Sequence, residues 1–175
     1  SFSAGANAIT LTNTSNDFTG AVSVNNSGAF NVAVTDANAL ILGTSSVGTG
    51  TLAVTATGAN SITQTGAITQ AASAGAASFT TGAGLITLTQ LNDFTGAVSL
   101  TNTGTNAAQI TDSNALTLGT LSIAAGNLTT INTGALNLGA GTVGGNLSAT
   151  SNSGAITQTG ALTITGTSSI NAGAA

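Results

Sequence analysis

Residues 92–101 read NDFTGAVSLT, and residues 16–25 read NDFTGAVSVN. Each stretch opens with the turn-forming residues Asn, Asp and Gly and continues with apolar residues that alternate with small polar ones. Alternation with a period of two is the pattern of a half-buried β-strand. The same alternation returns in short runs at 9–12, 85–89, 116–118 and 162–165. The sequence therefore predicts an all-β protein built from short strands.

The two stretches belong to a longer internal duplication. Residues 16–56 and 92–132 share 21 identities in 41 positions, at an offset of 76. The next match, ITQTGA, has an offset of 94, so the second copy carries 18 additional residues. An insertion that leaves the flanking pattern intact is most simply one whole structural repeat. We therefore divide the chain into two repeat units, 1–77 and 78–175.

A shorter period of about 19 residues runs through both units. The interval from Asp17 to Asp36 equals the interval from Asp93 to Asp112. Short strands repeated at this interval are typical of a parallel β-solenoid, in which coils stack at about 4.8 Å. With four coils in the first unit and five in the second, the sequence predicts about nine coils of about 19 residues.

The alternation also predicts which side chains face the core. Leu100, Leu118 and Leu138 are expected to form one inward column, because their spacing follows the coil period. Four phenylalanines occupy equivalent positions in the two units: Phe2 corresponds to Phe79, and Phe18 corresponds to Phe94. This equivalence predicts that all four rings stack in the core. Phe30 has no aromatic counterpart in the second unit.

The composition excludes most site chemistry. The 175 residues include no Lys, Arg, His or Cys, and the only ionisable side chains are four aspartates. Without His or Cys there is no ordinary transition-metal site, imidazole base or thiol nucleophile. Without cations the chain cannot neutralise phosphates, so nucleic-acid binding is not expected. No apolar run reaches the roughly 18 residues that a membrane-spanning helix needs, so no membrane insertion is expected. We predict no catalytic residue, no cofactor and no metal ligand.

The four aspartates, Asp17, Asp36, Asp93 and Asp112, are the only candidates for a site. Their spacing places the members of each pair on adjacent coils, where a hard cation such as calcium is conceivable. The favoured interpretation is that they cap turns at the coil corners, because Asp hydrogen-bonds to its own backbone there. Paired carboxylates for glycoside hydrolysis need a cleft, and a polysaccharide-acting enzyme is the least favoured interpretation.

Pairs of threonines on alternate residues suggest one rival function. A flat array of such pairs would resemble the face of an ice-binding solenoid, although the favoured interpretation is the outward row of any alternating strand. The pairs are Thr10/Thr12, Thr63/Thr65, Thr87/Thr89 and Thr163/Thr165.

A family resemblance follows from three features: the coil length, the alternation of apolar residues with Thr and Asn, and two recurring sequences. These sequences are ITQTGA, at 62–67 and 156–161, and GAITQ, at 66–70 and 154–158. The chain resembles the repeat regions of filamentous-haemagglutinin-like exoproteins and other bacterial surface proteins with β-strand repeats. The resemblance implies a right-handed parallel β-helix, export across an outer membrane and a place on the cell surface or in an extracellular fibre.

We therefore predict a structural shaft module of an extracellular fibre or large adhesin, without catalysis, with an ice-binding solenoid as the alternative. The expected partner is the chain itself, stacked end to end or in tandem, because joining Ala175 to another Ser1 repeats the sequence found at Ala77 and Ser78. Contact with a host or neighbouring-cell surface is expected only through regions outside these residues.

Overall fold

A computed structural model describes residues 1–173. Alternating apolar and polar residues form 21 short β-strands, and no helix occurs among these residues. The strands are β1 (Phe2–Gly5), β2 (Ile9–Leu11), β3 (Val24–Asn26), β4 (Val32–Asp36), β5 (Leu40–Leu42), β6 (Ser45–Val47), β7 (Leu52–Ala56), β8 (Ile62–Gln64), β9 (Ile68–Gln70), β10 (Ala77–Thr81), β11 (Ile86–Asn92), β12 (Val98–Asn102), β13 (Ala108–Asp112), β14 (Leu116–Ile123), β15 (Leu128–Asn132), β16 (Leu136–Asn137), β17 (Ala140–Val143), β18 (Leu147–Ser151), β19 (Ile156–Thr157), β20 (Leu162–Ile164) and β21 (Ser168–Ala172).

The strands pair in parallel and wind into a β-solenoid with three faces. Face 1 consists of β2, β4, β7, β10, β12, the second half of β14, β17 and β20. Face 2 consists of β5, β8, β11, β13, β15, β18 and β21. Face 3 consists of β1, β3, β6 and β9. Near the C-terminus, the first half of β14, β16 and β19 form a further paired row. We count this row as face 3 because it follows face 2 and precedes face 1 along the chain, although β14 joins it to the sheet of face 1. Along the chain each turn visits face 3, then face 1, then face 2.

The solenoid has about 8 turns of about 21 residues. The parallel solenoid is confirmed, and its turns are slightly fewer and longer than the roughly nine coils of about 19 residues that the sequence predicted. Paired residues on successive turns are between 19 and 25 positions apart, as in Leu128 with Leu147 and Leu52 with Ala77. The interval between Asp93 and Asp112 is one residue shorter than the turn at this place. Asp112 pairs with Asn92, not with Asp93.

The core consists of the inward-facing aliphatic residues, which stack on one another from turn to turn. Leu100, Leu118 and Leu138 are all buried, which confirms their inward orientation. The placement of Leu100 in one column with Leu118 is wrong, because Leu118 pairs with Val98 and Leu100 pairs with Leu121. The register shifts between these two pairs, where β14 holds one residue more than β12. A β-bulge of this kind is not visible in the alternation alone.

The four equivalent phenylalanines pack as two edge-to-face pairs. Phe79 and Phe94 are buried, with ring centroids 5.8 Å apart and ring planes at 74°. Phe2 and Phe18 repeat this geometry at 5.8 Å and 69°, partly buried against the core at the N-terminal end. The prediction that these rings lie in the core is confirmed. Each pair brings together two segments that follow one another along the winding of the solenoid.

The two sequence copies are rotated relative to one another by one face. Phe2 lies on face 3, whereas its counterpart Phe79 lies on face 1. Ile62 lies on face 2, whereas its counterpart Ile156 lies on face 3. The offset between the copies is therefore not a whole number of turns. The rotation is the same before the inserted residues, at Phe2 and Phe79, and after them, at Ile62 and Ile156. The boundary between 1–77 and 78–175 falls within β10, which pairs with β7 and β12 on its two sides.

Candidate functional surfaces

Two of the four aspartates are buried in equivalent turns. Asp36 ends β4, and its Oδ1 accepts a hydrogen bond from the amide of Phe18 at 3.1 Å. Asp112 ends β13, and its Oδ2 accepts from the amide of Phe94 at 2.8 Å. The Oδ1 of Asp112 also accepts from the amide of Asn114 at 2.9 Å, which closes an Asx-turn. The favoured interpretation, that these carboxylates cap turns, is confirmed.

Asp112 lies within a buried ladder of polar side chains on face 2. The ladder runs from turn to turn through Asn92, Asp112, Asn132 and Ser151. Burial raises the pKa of the Asp112 carboxyl above its usual value of 3.8. The hydrogen bonds from the amides of Phe94 and Asn114 oppose this rise, and the charge of Asp93 adds to it. This carboxylate therefore stabilises its turn at an electrostatic cost.

A hard-cation site requires several oxygen ligands from acidic residues or carbonyls. Asp17, which the spacing predicts to lie near Asp36, is exposed. The Oδ1 of Asp36 is already used, because it accepts a hydrogen bond from the backbone amide of Phe18. Within residues 1–173, no three acidic, His or Cys side chains lie close enough together to hold a metal ion. The Oδ2 of Asp36 is buried without a hydrogen-bond partner in the described part of the chain. Of the two pairs predicted from spacing, only Asp93 and Asp112 are shown to influence each other, through their charges.

The threonine pairs that suggested a rival function are not brought together in one array. Thr10 and Thr163 lie on face 1, whereas Thr63 and Thr87 lie on face 2. Each points outward from its strand, as the alternation predicted. They are separated because equivalent residues of the two sequence copies lie on different faces.

Face 1 instead carries a hydroxyl ladder that the spacing of these pairs did not reveal. Seven hydroxyl side chains pair in succession along the sheet: Thr35, Thr55, Thr80, Thr101, Ser122, Thr142 and Thr163. All of them except Thr35, which is buried, are at least partly exposed. Stacked strands place successive members about 4.8 Å apart. In the sequence, each member of the ladder is the last residue of a triplet: a small residue, then an inward-facing residue, then a hydroxyl residue. The inward-facing residue is apolar in every triplet except the one that contains Gly141. It reads AVT, AVT, SFT, SLT, TLS, AGT and ALT in the seven turns.

The last described turn of the solenoid borders an apolar depression. The depression has a volume of about 350 Å³ and is lined by Leu138, Leu147, Ile156, Leu162, Ile164 and Ile170, together with three polar residues. Among residues 1–173 no turn stacks on β21, so every residue of this strand is exposed, and Ile170 is 50% exposed. The edges of β19, β20 and β21 therefore present unpaired backbone groups beside apolar side chains.

None of the secondary structure in residues 1–173 supplies a helix that could cross a membrane. The predicted junction between Ala175 and Ser1 involves residues 174 and 175, which lie outside the described residues. Its counterpart at Ala77 and Ser78 lies inside β10 on face 1, whereas Ser1 directly precedes β1 on face 3.

Comparisons with known proteins give a family but no characterised relative. No curated protein and no solved structure matches the chain significantly. The model of the family described as repeats of unknown function (DUF5649) matches residues 1–25, 29–101 and 125–175. These segments cover most of the chain and include strands from all three faces. The chain is therefore a member of the DUF5649 family of repeats.

Proposed function

We propose that this chain is a structural shaft module of an extracellular bacterial fibre or large cell-surface adhesin. The observation that carries the proposal is the continuous parallel stacking of about 8 turns of nearly constant length. In such a solenoid each turn contacts only its neighbours, so the rod lengthens by adding turns without changing its cross-section. The resemblance to bacterial β-strand-repeat exoproteins supports an extracellular location.

The near absence of charge fits this structural role. Side chains in one outward row lie about 5 Å from their copies on the next turn, where like charges repel. Neutral Thr, Ser and Asn rows avoid this repulsion and can be repeated over many turns. The face 1 ladder from Thr35 to Thr163 is such a row.

Catalysis is not part of the proposal. A catalytic acid or base must reach the substrate, whereas Asp36 and Asp112 are buried and hydrogen-bonded to backbone amides. Asp17 and Asp93 are not buried, but neither belongs to a cluster of three acidic, His or Cys side chains within residues 1–173. The partner in this role is the chain itself, stacked end to end or in tandem, and nucleic acid is not proposed as a partner. Adhesion to a host or neighbouring cell belongs to regions outside these residues.

The test of the shaft role is a series of tandem fusions with one, two and three copies of the chain. Rod length is measured by electron microscopy and small-angle scattering. Eight turns at about 4.8 Å predict an increment of about 38 Å per copy at constant diameter. Copies that tumble independently, or a diameter that grows with copy number, would refute the shaft role. Fractionation of the producing cells tests the extracellular location separately.

The hydroxyl ladder favours one second candidate, an ice-binding face. Its six exposed or partly exposed members, from Thr55 to Thr163, present hydroxyl groups in an uncharged row, and ordered water binds to such repeated hydrogen-bonding groups. The test is thermal hysteresis of the wild-type chain and of Thr101→Tyr, which interrupts the ladder. Thr129→Tyr on the outward side of face 2 is the matched control. No hysteresis in the wild-type chain eliminates this candidate.

A further inference from the structure

The buried polar ladder on face 2 contains one hydrogen-bond acceptor without a donor. Its members Asn92, Asp112, Asn132 and Ser151 pair in register from turn to turn, and their side chains are buried. The Oδ1 of Asn132 has no hydrogen-bond partner among residues 1–173. A buried polar atom left without a partner destabilises the folded state, and nearly all such atoms in native proteins are hydrogen-bonded. We therefore searched the neighbours of Asn132 for a donor to this oxygen.

The orientation of the Asn132 amide is fixed by its nitrogen. Nδ2 donates to the carbonyl oxygens of Asn114 at 3.2 Å, Gly134 at 2.5 Å and Ala135 at 3.0 Å. Exchanging the nitrogen and the oxygen would turn Oδ1 toward these carbonyl groups, which only accept hydrogen bonds. The oxygen therefore points away from them, and its donor must belong to another group.

Two neighbouring hydroxyl groups do not supply that donor. The hydroxyl of Ser151, on the next turn, has a single proton. Its oxygen lies 2.7 Å from the carbonyl oxygen of Gly134 and 2.9 Å from that of Gly154, so the proton is used there. The buried hydroxyl of Thr130 lies on the same side of β15. It has no hydrogen-bond partner of its own among residues 1–173, so it does not reach Asn132.

Asp112, which pairs with Asn132 from the preceding turn, is the remaining neighbour in the ladder. An earlier contact shows how a side chain of one turn can satisfy the next: the Nε2 of Gln64 donates to the Oδ1 of Asn92 at 2.7 Å. Asp112 has no side-chain nitrogen, and an ionised carboxylate only accepts hydrogen bonds. While Asp112 is ionised, two acceptors therefore occupy paired positions on strands about 4.8 Å apart.

The Asp112 carboxyl has room for a proton. Its Oδ2 accepts a hydrogen bond from the amide of Phe94, and its Oδ1 accepts one from the amide of Asn114. Each carboxyl oxygen has two lone-pair directions, so one direction on each oxygen is free. A proton in such a direction turns the carboxyl from an acceptor into a donor without displacing either backbone amide.

The surroundings of Asp112 favour the uncharged carboxyl. Its neighbours in the ladder are the uncharged Asn92 and Asn132. Among residues 1–173, the charged group that acts on it is Asp93, whose like charge disfavours the carboxylate. Burial raises the pKa of Asp112 above 3.8, and Asp93 adds to this rise, although the two backbone amides oppose it. The chain contains no cationic side chain that could pair with the carboxylate.

We propose that the protonated carboxyl of Asp112 donates a hydrogen bond to the Oδ1 of Asn132, which makes the stacking of two turns sensitive to acid. The proton joins β13 to β15 when it is bound, and its loss leaves two acceptors on neighbouring strands. The counterpart Asp36 pairs with Ala56, which offers no side-chain acceptor, so the first sequence copy lacks this contact. The inference goes beyond the shaft role, because stacking alone gives a rod no response to pH.

Carbon-13 NMR of the aspartate carboxyl groups tests the proposal. The four aspartates are the only acidic side chains, so selective labelling gives four signals, which single substitutions to Asn assign. Asn132→Leu removes the acceptor and keeps the site apolar and buried. In this variant the Asp112 signal is expected to titrate at lower pH than in the wild-type chain, because only the protonated form loses a hydrogen bond.

Asn102→Ala is the matched control. Asn102 is as fully buried as Asn132, and it pairs with Thr81 and Ile123 on face 1 rather than with an aspartate. This variant is expected to lose stability without moving the Asp112 titration. Asn132→Ala removes the same acceptor with a smaller side chain, and it decides the question if Asn132→Leu fails to fold. Circular-dichroism melting curves verify the folding of each variant.

The outcomes are distinct. An Asp112 titration that stays unchanged or moves to higher pH in the Asn132 variants overturns the proposal, because Oδ1 then takes its hydrogen bond from another source. An equal shift in Asn102→Ala also overturns it, since the shift would then reflect loosened packing. A shift to lower pH that is confined to the Asn132 variants supports the contact. The shaft role is tested separately by the tandem fusions.

Discussion

The amide of Phe94 donates a hydrogen bond of 2.8 Å to the buried carboxylate of Asp112 on the next turn. The equivalent bond joins Phe18 to Asp36 at 3.1 Å in the first sequence copy. Each bond fixes the backbone directly beside a phenylalanine that packs edge-to-face with a second ring. The aspartates therefore act on the core through the backbone of the corner. Asp36 lies on face 1 and Asp112 on face 2, because the copies are rotated.

The stability of the protein is expected to increase on acidification through the titration of Asp112. Burial raises the pKa of this carboxyl above 3.8, so the folded chain holds the proton more tightly than the unfolded chain. By linkage, the additional stability is complete below the unfolded pKa of 3.8 and is lost as the pH rises through the folded pKa. Thermal melting at pH values from about 3 to about 8 measures this change.

Asp112→Asn removes the titrating group and is expected to flatten that pH dependence. Asn fits this position because Asn92 and Asn132 occupy the rungs of the ladder on either side. Exposed Asp17→Asn is the control, and its melting profile is expected to keep the slope of the wild-type chain. A slope that survives in Asp112→Asn contradicts the assignment.

Phe79→Ala is expected to lower the free energy of unfolding by about 3–5 kcal/mol. Phe79 is fully buried, and its ring packs against Phe94, so truncation leaves a cavity between two turns. Phe30→Ala, in which the ring is 54% exposed, is the matched control, with an expected change within about 0.5 kcal/mol. Denaturant titration measures both, and equal losses would contradict the packing.

Leu118→Asp is expected to cost more than about 4 kcal/mol, because it buries an unpaired charge beside Val98. The neighbouring Thr117 is exposed and points to the opposite side of the strand. Thr117→Ser should therefore leave the melting temperature almost unchanged. Equal tolerance of the two substitutions would show that the inward and outward sides of β14 are inverted.

Gly141→Ala is expected to cost about 2–3 kcal/mol. Gly141 has a φ of 131°, and a Cβ at this position would overlap with the carbonyl oxygen of Leu121. Gly20→Ala is the control, because a Cβ there meets no atom within 4 Å. Melting temperatures of the two variants measure the difference, and a silent Gly141→Ala would contradict the close approach of the two turns.

The alternation in the sequence was sufficient to predict the strands and the inward orientation of most apolar residues, and the repeat period was sufficient to predict parallel stacking. The turn sequences around Asp36 and Asp112, with Asn nearby, were sufficient to predict that these two aspartates cap turns. The hydroxyl ladder was not predicted, although its triplets are visible in the sequence. The threonine pairs reflect spacing within a strand, whereas the ladder depends on spacing between turns.

The sequence alone was enough to identify the short strands, the side of each strand that faces the core and the scarcity of ionisable side chains. These properties are local, because a period of two and a turn residue act within a few positions. The tertiary structure decided the turn length, the pairing of Leu118 with Val98 and the rotation of the second copy by one face. Register joins residues on successive turns, and bulges and corner loops of variable length change it without disturbing the local alternation.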